Sequence, residues 1–227
     1  MTLLTELPET RRQESSAMKN QAICGTLFII TAPSGAGKTS LAKALAKAMP
    51  DIKISISYTT RPQRPGEENG VHYWFVTVAE FRKMIAENAF LEYAQVFDNY
   101  YGTSKQQVEH YLRAGKDVFL TIDWQGAKQL QDIFAEAVSI YILPPSTDLL
   151  QERLNARRQD NAAVIKQRLA QVSTEVAHFS DFNYVVVNDD FAEAVADLQA
   201  IVRANRLRRQ RQMLKYEGLL AELLKKM

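Results

Sequence analysis

One cysteine, Cys24, and three histidines, His72, His110 and His178, are all that 227 residues offer in soft metal ligands. A single thiol cannot close an internal disulfide and the histidines lack ligand spacing, so stapled and zinc-built folds are excluded. No apolar run approaches the roughly 18 residues of a membrane span, and the N-terminus lacks the basic-then-apolar order of a secretory leader. A cytoplasmic location is therefore expected, with no membrane partner. Charge of one sign is also scarce, 28 basic side chains standing against 26 acidic ones. What is present, 46% hydrophobic and 24% charged residues, is the profile of a globular protein with one sizeable core.

The near-neutral total conceals an asymmetry. From Arg203 onward eight basic residues face only Glu217 and Glu222, so the tail carries +6 and leaves −4 for the remainder. Leucines 207, 214, 219, 220, 223 and 224 are interspersed with those cations, which favours helix packing or self-association through a C-terminal helix over nucleic-acid binding.

Residues 1–24 are polar, mixed in charge and without a sustained period, and are expected to form a flexible leader without chemistry, in which Met18 offers an alternative start. Order is expected from Gly25. A short apolar run, Gly25 to Thr31, suits a buried strand; a Gly-rich turn follows, then helical spacing from Lys38 to Met49, closed by Pro50. Further strands are expected over Ile52–Tyr58, Tyr73–Val76, Phe90–Val96, Val118–Ile122, Val138–Leu143 and Tyr184–Val187. Helices are expected over Val78–Glu87, Lys105–Ala114, Trp124–Phe134, Thr147–Arg157, Ala162–Ala177 and from Phe191 toward the C-terminus, with Gly218 as its interruption. That alternation predicts an α/β fold on a parallel sheet, and residues 52–96 read as an antiparallel insertion overhanging its carboxyl edge.

Ala32-Pro33-Ser34-Gly35-Ala36-Gly37-Lys38-Thr39 matches the phosphate-loop pattern except at its first position, where alanine replaces glycine. Glycines at 35 and 37 let successive backbone N–H groups turn inward around phosphate oxygens. Lys38 supplies a point charge, Thr39 a hydroxyl for Mg²⁺, and the helix beginning at Lys38 and continuing through Ser40 adds its positive N-terminal field. Beyond it, Ser57-Tyr58-Thr59-Thr60-Arg61-Pro62-Gln63-Arg64-Pro65-Gly66-Glu67 sets two guanidinium forks three residues apart in a Pro/Gly-framed loop, with Tyr73 shortly after. These groups suit a second phosphate.

This segment resembles the signature of guanylate kinases of the bacterial type. The likeness continues through Asn99-Tyr100-Tyr101-Gly102-Thr103, Ile122-Asp123-Trp124-Gln125-Gly126, Pro144-Pro145-Ser146 and Val187-Asn188-Asp189-Asp190. It implies a P-loop NTPase-type parallel sheet flanked by helices, with an NMP-binding insertion and a lid. It also implies the reaction ATP + GMP ⇌ ADP + GDP, with Mg²⁺ accompanying ATP and no tightly bound organic cofactor; use of dGMP is left open. The implied layout is a leader over 1–24, a kinase-like domain over 25–204 and a basic helical extension over 205–227. Within the domain, the core takes 25–51, 104–147 and 178–204, the GMP insertion 52–103 and the lid 148–177.

Residue by residue, the likeness assigns the phosphate loop with Ser40 and Asn188 to ATP. It assigns Arg61, Arg64, Tyr73 and Tyr101 to the GMP phosphate, Ser57, Glu92 and Thr103 to guanine, and Asp123 to magnesium's water shell or the acceptor end of GMP. Chemistry agrees, because guanine's N1–H and N2–H₂ donors match a carboxylate such as Glu92 while its O6 accepts from a hydroxyl such as Ser57. Adenine would leave that carboxylate desolvated and unpaired. Arg153, Arg157 and Arg168 resemble lid arginines that neutralise the phosphoryl group in transfer, joining Lys38, Arg61 and Asp123 as the expected catalytic set. The chain departs from the family at Thr121, where a second acid is usual, at Arg158, where glycine is common, and at Ala162-Ala163, where acids are common.

Two other readings are weighed against this one. A non-catalytic interaction module commonly loses the loop glycines and lysine, which this chain keeps. A kinase acting on a ribosyl phosphate would have no use for a guanine-reading set.

Overall fold

Leu27–Thr31 (β1) is buried at all five residues and forms the middle of a parallel sheet, with successive side chains serving opposite faces. Phe28 and Ile30 meet Leu41 and Leu45 of helix α1 (Lys38–Ala48) and Leu198 and Val202 of α6 (Phe191–Arg206); Leu27 and Ile29 meet Val108 and Leu112 of α3 (Lys105–Arg113) and Leu130 of α4 (Trp124–Ile133). A strand apolar on both faces demands helices on both, and three layers result. The computed structural model describes residues 25–96, 98–156, 169–170 and 172–225.

The five strands of this sheet run in the order β2 (Ile52–Ile54), β7 (Asp117–Thr121), β1, β8 (Val138–Leu143), β9 (Tyr184–Val187), every pair parallel. Phe28 stacks on Phe119 of β7 at 4.6 Å between ring centroids, locking the central pair. Caps set the helix starts: Asp123 accepts from Gln125 N and Gly126 N, Ser104 from Gln107 N, and Asp190 from Ala192 N and Glu193 N.

A second sheet, in the order β4 (Trp74–Phe75), β3 (Tyr58–Thr59), β6 (Asn99–Ser104), β5 (Phe90–Val96), carries helix α2 (Val78–Ala86). Phe81 of α2 stacks on Phe90 and Tyr100, centroids 4.6 and 5.4 Å away, and a Cβ at Gly102 would meet both Phe81 and Phe90. Thr77 and Glu80 close a capping box at the helix start.

Sequence and structure differ at four places. The run Ile52–Tyr58 is split: Ile52–Ile54 pairs with β7 at the edge of the core sheet, and only Tyr58–Thr59 joins the second. That sheet is mixed, because β3 and β4 pair in parallel while β3–β6 and β5–β6 are antiparallel. Strand β6 was not expected, its polar and glycine-bearing sequence giving little strand signal until β5 pairs with it. The C-terminal helix breaks at Leu207–Arg208 and again at Tyr216, giving α7 (Arg209–Lys215) and α8 (Glu217–Lys225), while Gly218 lies within α8.

Between α4 and β9, helix α5 (Thr147–Ala156) and the helical residues 172–176 enclose a small apolar cluster, Leu150, Leu154 and Val172 packed on Ala36. A 3₁₀ turn, Ala177–Asp181, then leads into β9. The basic tail is tied to the core by its cations: buried Asp117 accepts from Arg206 Nε at 2.7 Å, Arg211 Nη1 at 3.1 Å and Thr26 N at 2.8 Å. Leu207, Leu214, Leu219, Leu220, Leu223 and Leu224, expected to serve helix packing or self-association, are exposed on this chain. No described helix is long and apolar enough to cross a membrane.

Candidate active site

Strand β1 delivers the chain to the carboxyl edge of the sheet, where residues 32–37 turn into α1. Gly35 and Gly37 adopt φ of 94° and 96°, the left-handed region that glycine enters without strain. A Cβ at Gly37 would also run into the Asn188 amide. Asn188 lies at the end of β9, 3% exposed, and donates from Nδ2 to Ala36 O at 2.7 Å, so it braces the loop from behind. Asn188, assigned with the phosphate loop to ATP by resemblance, stands directly behind that loop. Arg153 of α5 donates to Asn188 O at 3.2 Å.

Lys38 donates from Nζ to Ile122 O, 2.8 Å away on the β7–α4 connection. Burial lowers its pKa, while the negative charges of Asp123, Glu175 and Glu92 act upward. Thr39 is exposed at the first turn of α1 and faces the same cleft.

Across that cleft stands the second sheet. Arg61 is gripped by both oxygens of Glu67, at 2.7 and 3.0 Å, and its guanidinium lies 5.5 Å from the Tyr73 ring centroid. Burial alone would lower the Arg61 pKa, but the Glu67 contact outweighs it and the net shift is upward. Burial likewise pushes the Tyr73 phenol upward, helped by Tyr101, whose ring meets it edge-on at 6.0 Å.

Glu92 of β5 is 2% exposed and accepts from Thr103 Oγ1 of β6 at 2.6 Å. Burial first, then the nearby Asp123 charge, raise its pKa to about 8 against the opposing pull of Thr103 and Lys38. A buried carboxyl so shifted marks a candidate functional group, and a ligand that offers donors would draw it toward its ionised form.

The cleft between the sheets encloses about 700 Å³. Of the residues singled out from sequence, Ala32, Pro33, Ser34, Gly35, Gly37, Lys38, Thr39, Ser40, Ser57, Arg61, Arg64, Tyr73, Glu92, Tyr101 and Asp123 line it. Ala36 and Thr103 are wholly buried, one beneath the loop and the other behind Glu92. Arg153 and Asn188 stand behind the lining, and Arg157 and Arg168 lie outside the described residues.

Sequence reasoning passed over three participants. Glu67 closes the arginine-bearing motif, six residues from Arg61 in one tight loop and so within reach of an ion pair. Glu175 accepts from Ser34 N at 3.2 Å, and Tyr141 donates its hydroxyl to Glu175 O at 2.8 Å. Neither has a local sequence signal, since both arrive by tertiary packing.

Comparison with known proteins accounts for this geometry. The family model described as Guanylate kinase matches residues 25–205. The guanylate kinase of Sodalis glossinidius is 55% identical over 204 residues, covering 89% of this chain and 99% of that protein. That of Coxiella burnetii is 55% identical over 200 residues, covering 88% and 97%. The crystal structure of guanylate kinase from Anaplasma phagocytophilum superposes with a TM-score of 0.69 at 32% identity, covering 82% of this chain and 89% of that one. With a phosphate loop facing a buried carboxyl and paired arginines across one cleft, the chain belongs to the guanylate kinase family, nucleoside monophosphate kinases that phosphorylate GMP at the expense of ATP.

Proposed function

We propose that the loop 32–40 holds the ATP phosphates, that Ser57, Arg61, Arg64, Tyr73, Glu92, Tyr101 and Thr103 hold GMP, and that transfer occurs in line between them. The observation that carries this reading is the placement of Lys38 and Glu92 on opposite walls of one cleft, close enough for each to influence the other's protonation. The acceptor oxygen of GMP is already anionic, so the site needs positioning and cationic stabilisation more than a strong base. Lys38 neutralises charge on the donor side, and Arg61 with Arg64 aligns the acceptor phosphate through fork geometry. Glu92 reads the guanine N1–H and N2–H₂ edge, while Thr103 orients its carboxyl. Arg153, Arg157 and Arg168 are proposed to complete the cationic shell, and Asn188 to shape the loop.

Magnesium fits the oxygen donors that face the cleft. Thr39 offers a hydroxyl and Asp123 a carboxylate, few enough to leave coordination to phosphates and water, as this hard cation prefers. When bound, Mg²⁺ would screen the phosphate charges, with Asp123 orienting its water shell. The segments 52–103 and 148–177 serve in this proposal as acceptor arm and lid, and the reaction is cytoplasmic. Self-association through the leucines of α8 belongs to it as well, and sedimentation velocity tests that part.

A coupled assay of ADP release with GMP, AMP, CMP and UMP tests the site assignment. GMP is expected to be turned over far faster than the other three, and Glu92→Gln to erode that preference. Equal rates for GMP and AMP in the unmodified enzyme would remove Glu92 from guanine reading.

A further inference from the structure

We propose that Glu175 is an internal competitor for the phosphate loop: its carboxylate takes the Ser34 N–H that a triphosphate oxygen needs, so ATP binds by displacing it. The proposal rests on the assignment of this loop to ATP.

Three observations lead there. The carboxylate Oε2 of Glu175 accepts from Ser34 N at 3.2 Å, and the same side chain faces the cleft shared by Lys38 and Thr39. An anion is thus already seated on a backbone donor of a loop built to receive anions. Second, the backbone at Glu175 is pinned, because fully buried Tyr141 on β8 donates its hydroxyl to Glu175 O at 2.8 Å. Displacement is therefore a swing of one side chain and leaves its segment in place. Third, the segment bearing Glu175 packs through Val172 against Leu150, Leu154 and Ala36, in a cluster apart from the two main cores. The carboxylate that answers to phosphate stands on the element that rests on the loop.

The chemistry forces a choice. One N–H makes one good hydrogen bond, and a carboxylate beside a polyphosphate suffers like-charge repulsion. A loop held by its own carboxylate about nine-tenths of the time would show an ATP affinity lowered about tenfold. In exchange, the negative charge of Glu175 helps keep Lys38 protonated against burial. If Glu175 instead only braced the loop, removing its charge would loosen the cradle and weaken ATP. The two roles predict effects of opposite sign.

Calorimetric titration of the full chain with ATP, ADP, adenosine and GMP separates them. For Glu175→Gln, which keeps shape and loses charge, the Kd of ATP and of ADP is expected to fall roughly five- to tenfold while adenosine and GMP bind as before. Glu175→Asp, which draws the charge back by one methylene, is expected to tighten ATP in the same direction and serves should the first variant fold poorly. An ATP Kd unchanged or raised in a folded variant overturns the proposal. Lys38→Ala, measured alongside, tells the two claims apart. If it weakens ATP while Glu175→Gln changes nothing, Glu175 alone is misassigned. If it leaves ATP untouched, the loop assignment itself fails.

Discussion

Thr103 donates its hydroxyl to Glu92 across 2.6 Å, and this bond joins the two strands that wall the acceptor side of the cleft. The carboxyl it orients titrates near 8 because burial and Asp123 outweigh Thr103 and Lys38. In the proposed arrangement guanine's donors call for the ionised form, so GMP binding is expected to strengthen as pH rises through about 8 and to release protons below it. Titrations in two buffers of different ionisation enthalpy measure that release, and Glu92→Gln abolishes it. The stability of the ligand-free protein moves oppositely. A folded pKa raised from 4.5 to about 8 gives a stabilising contribution that is whole below 4.5 and disappears as pH climbs through 8. The Tm is expected to decline over that window less steeply in Glu92→Gln than in the unmodified enzyme.

Gly126, in the first turn of α4, has no Cβ, and one built there would collide with Glu92 Oε2. Alanine suits a helix, so the cost of Gly126→Ala falls on the carboxyl instead of on the fold. The expected result is a KM for GMP raised about tenfold or more by steady-state kinetics, with the KM for ATP unchanged. An equal rise in both would mean that α4 itself had moved.

Glu67 positions Arg61 through a two-oxygen grip, leaving the guanidinium side chain 11% exposed beside the Tyr73 ring. Lysine has neither the fork nor the planar face. Arg61→Lys is expected to lower kcat/KM for GMP about a hundredfold, or ~2.7 kcal/mol in transition-state terms. Glu67→Gln, which keeps the acceptor shape but not the charge, should cost several-fold in the KM for GMP and little in melting temperature.

Asp117 opens β7 at the end of the sheet remote from the cleft and holds Arg206, Arg211 and the Thr26 N–H together. Removing a buried carboxylate leaves its donors stranded, and with both arginines partly exposed the loss for Asp117→Ala is about 2 to 3 kcal/mol. Denaturant unfolding measures it. Turnover of folded enzyme under native conditions is expected to stay within a factor of two.

The parallel core was readable because its strands are short, apolar runs: Val138–Leu143 and Tyr184–Val187 stand where the residues placed them, as does Phe90–Val96 in the second sheet. The phosphate loop was readable for the same reason, since its glycines need a conformation that few other residues take. The β6 strand was hidden by Asn99 and Gly102, residues poor in strand signal that become a strand only by pairing with β5. Ile52–Tyr58 looked like one strand because periodicity cannot reveal that a chain changes sheets midway. Glu175 and Tyr141 had no signature at all, because their meeting with the loop depends on how α5 and residues 172–176 settle over it.

Gln107, on α3, reaches the place where the chain crosses between the two sheets. Its side-chain oxygen accepts from Ser55 Oγ and Ile56 N, at 2.9 and 3.2 Å, and its own N–H donates to Ser104 at 3.3 Å. Ser55 and Ile56 follow β2, where the chain leaves the core sheet, and Ser104 ends β6, where it returns. The side-chain oxygen of Gln107 therefore holds the outgoing crossing, and its backbone N–H holds the returning one. The strands that carry Glu92 and Thr103 are thereby fastened to the core beside α3, and Gln107→Ala would free the outgoing crossing while leaving the returning one capped.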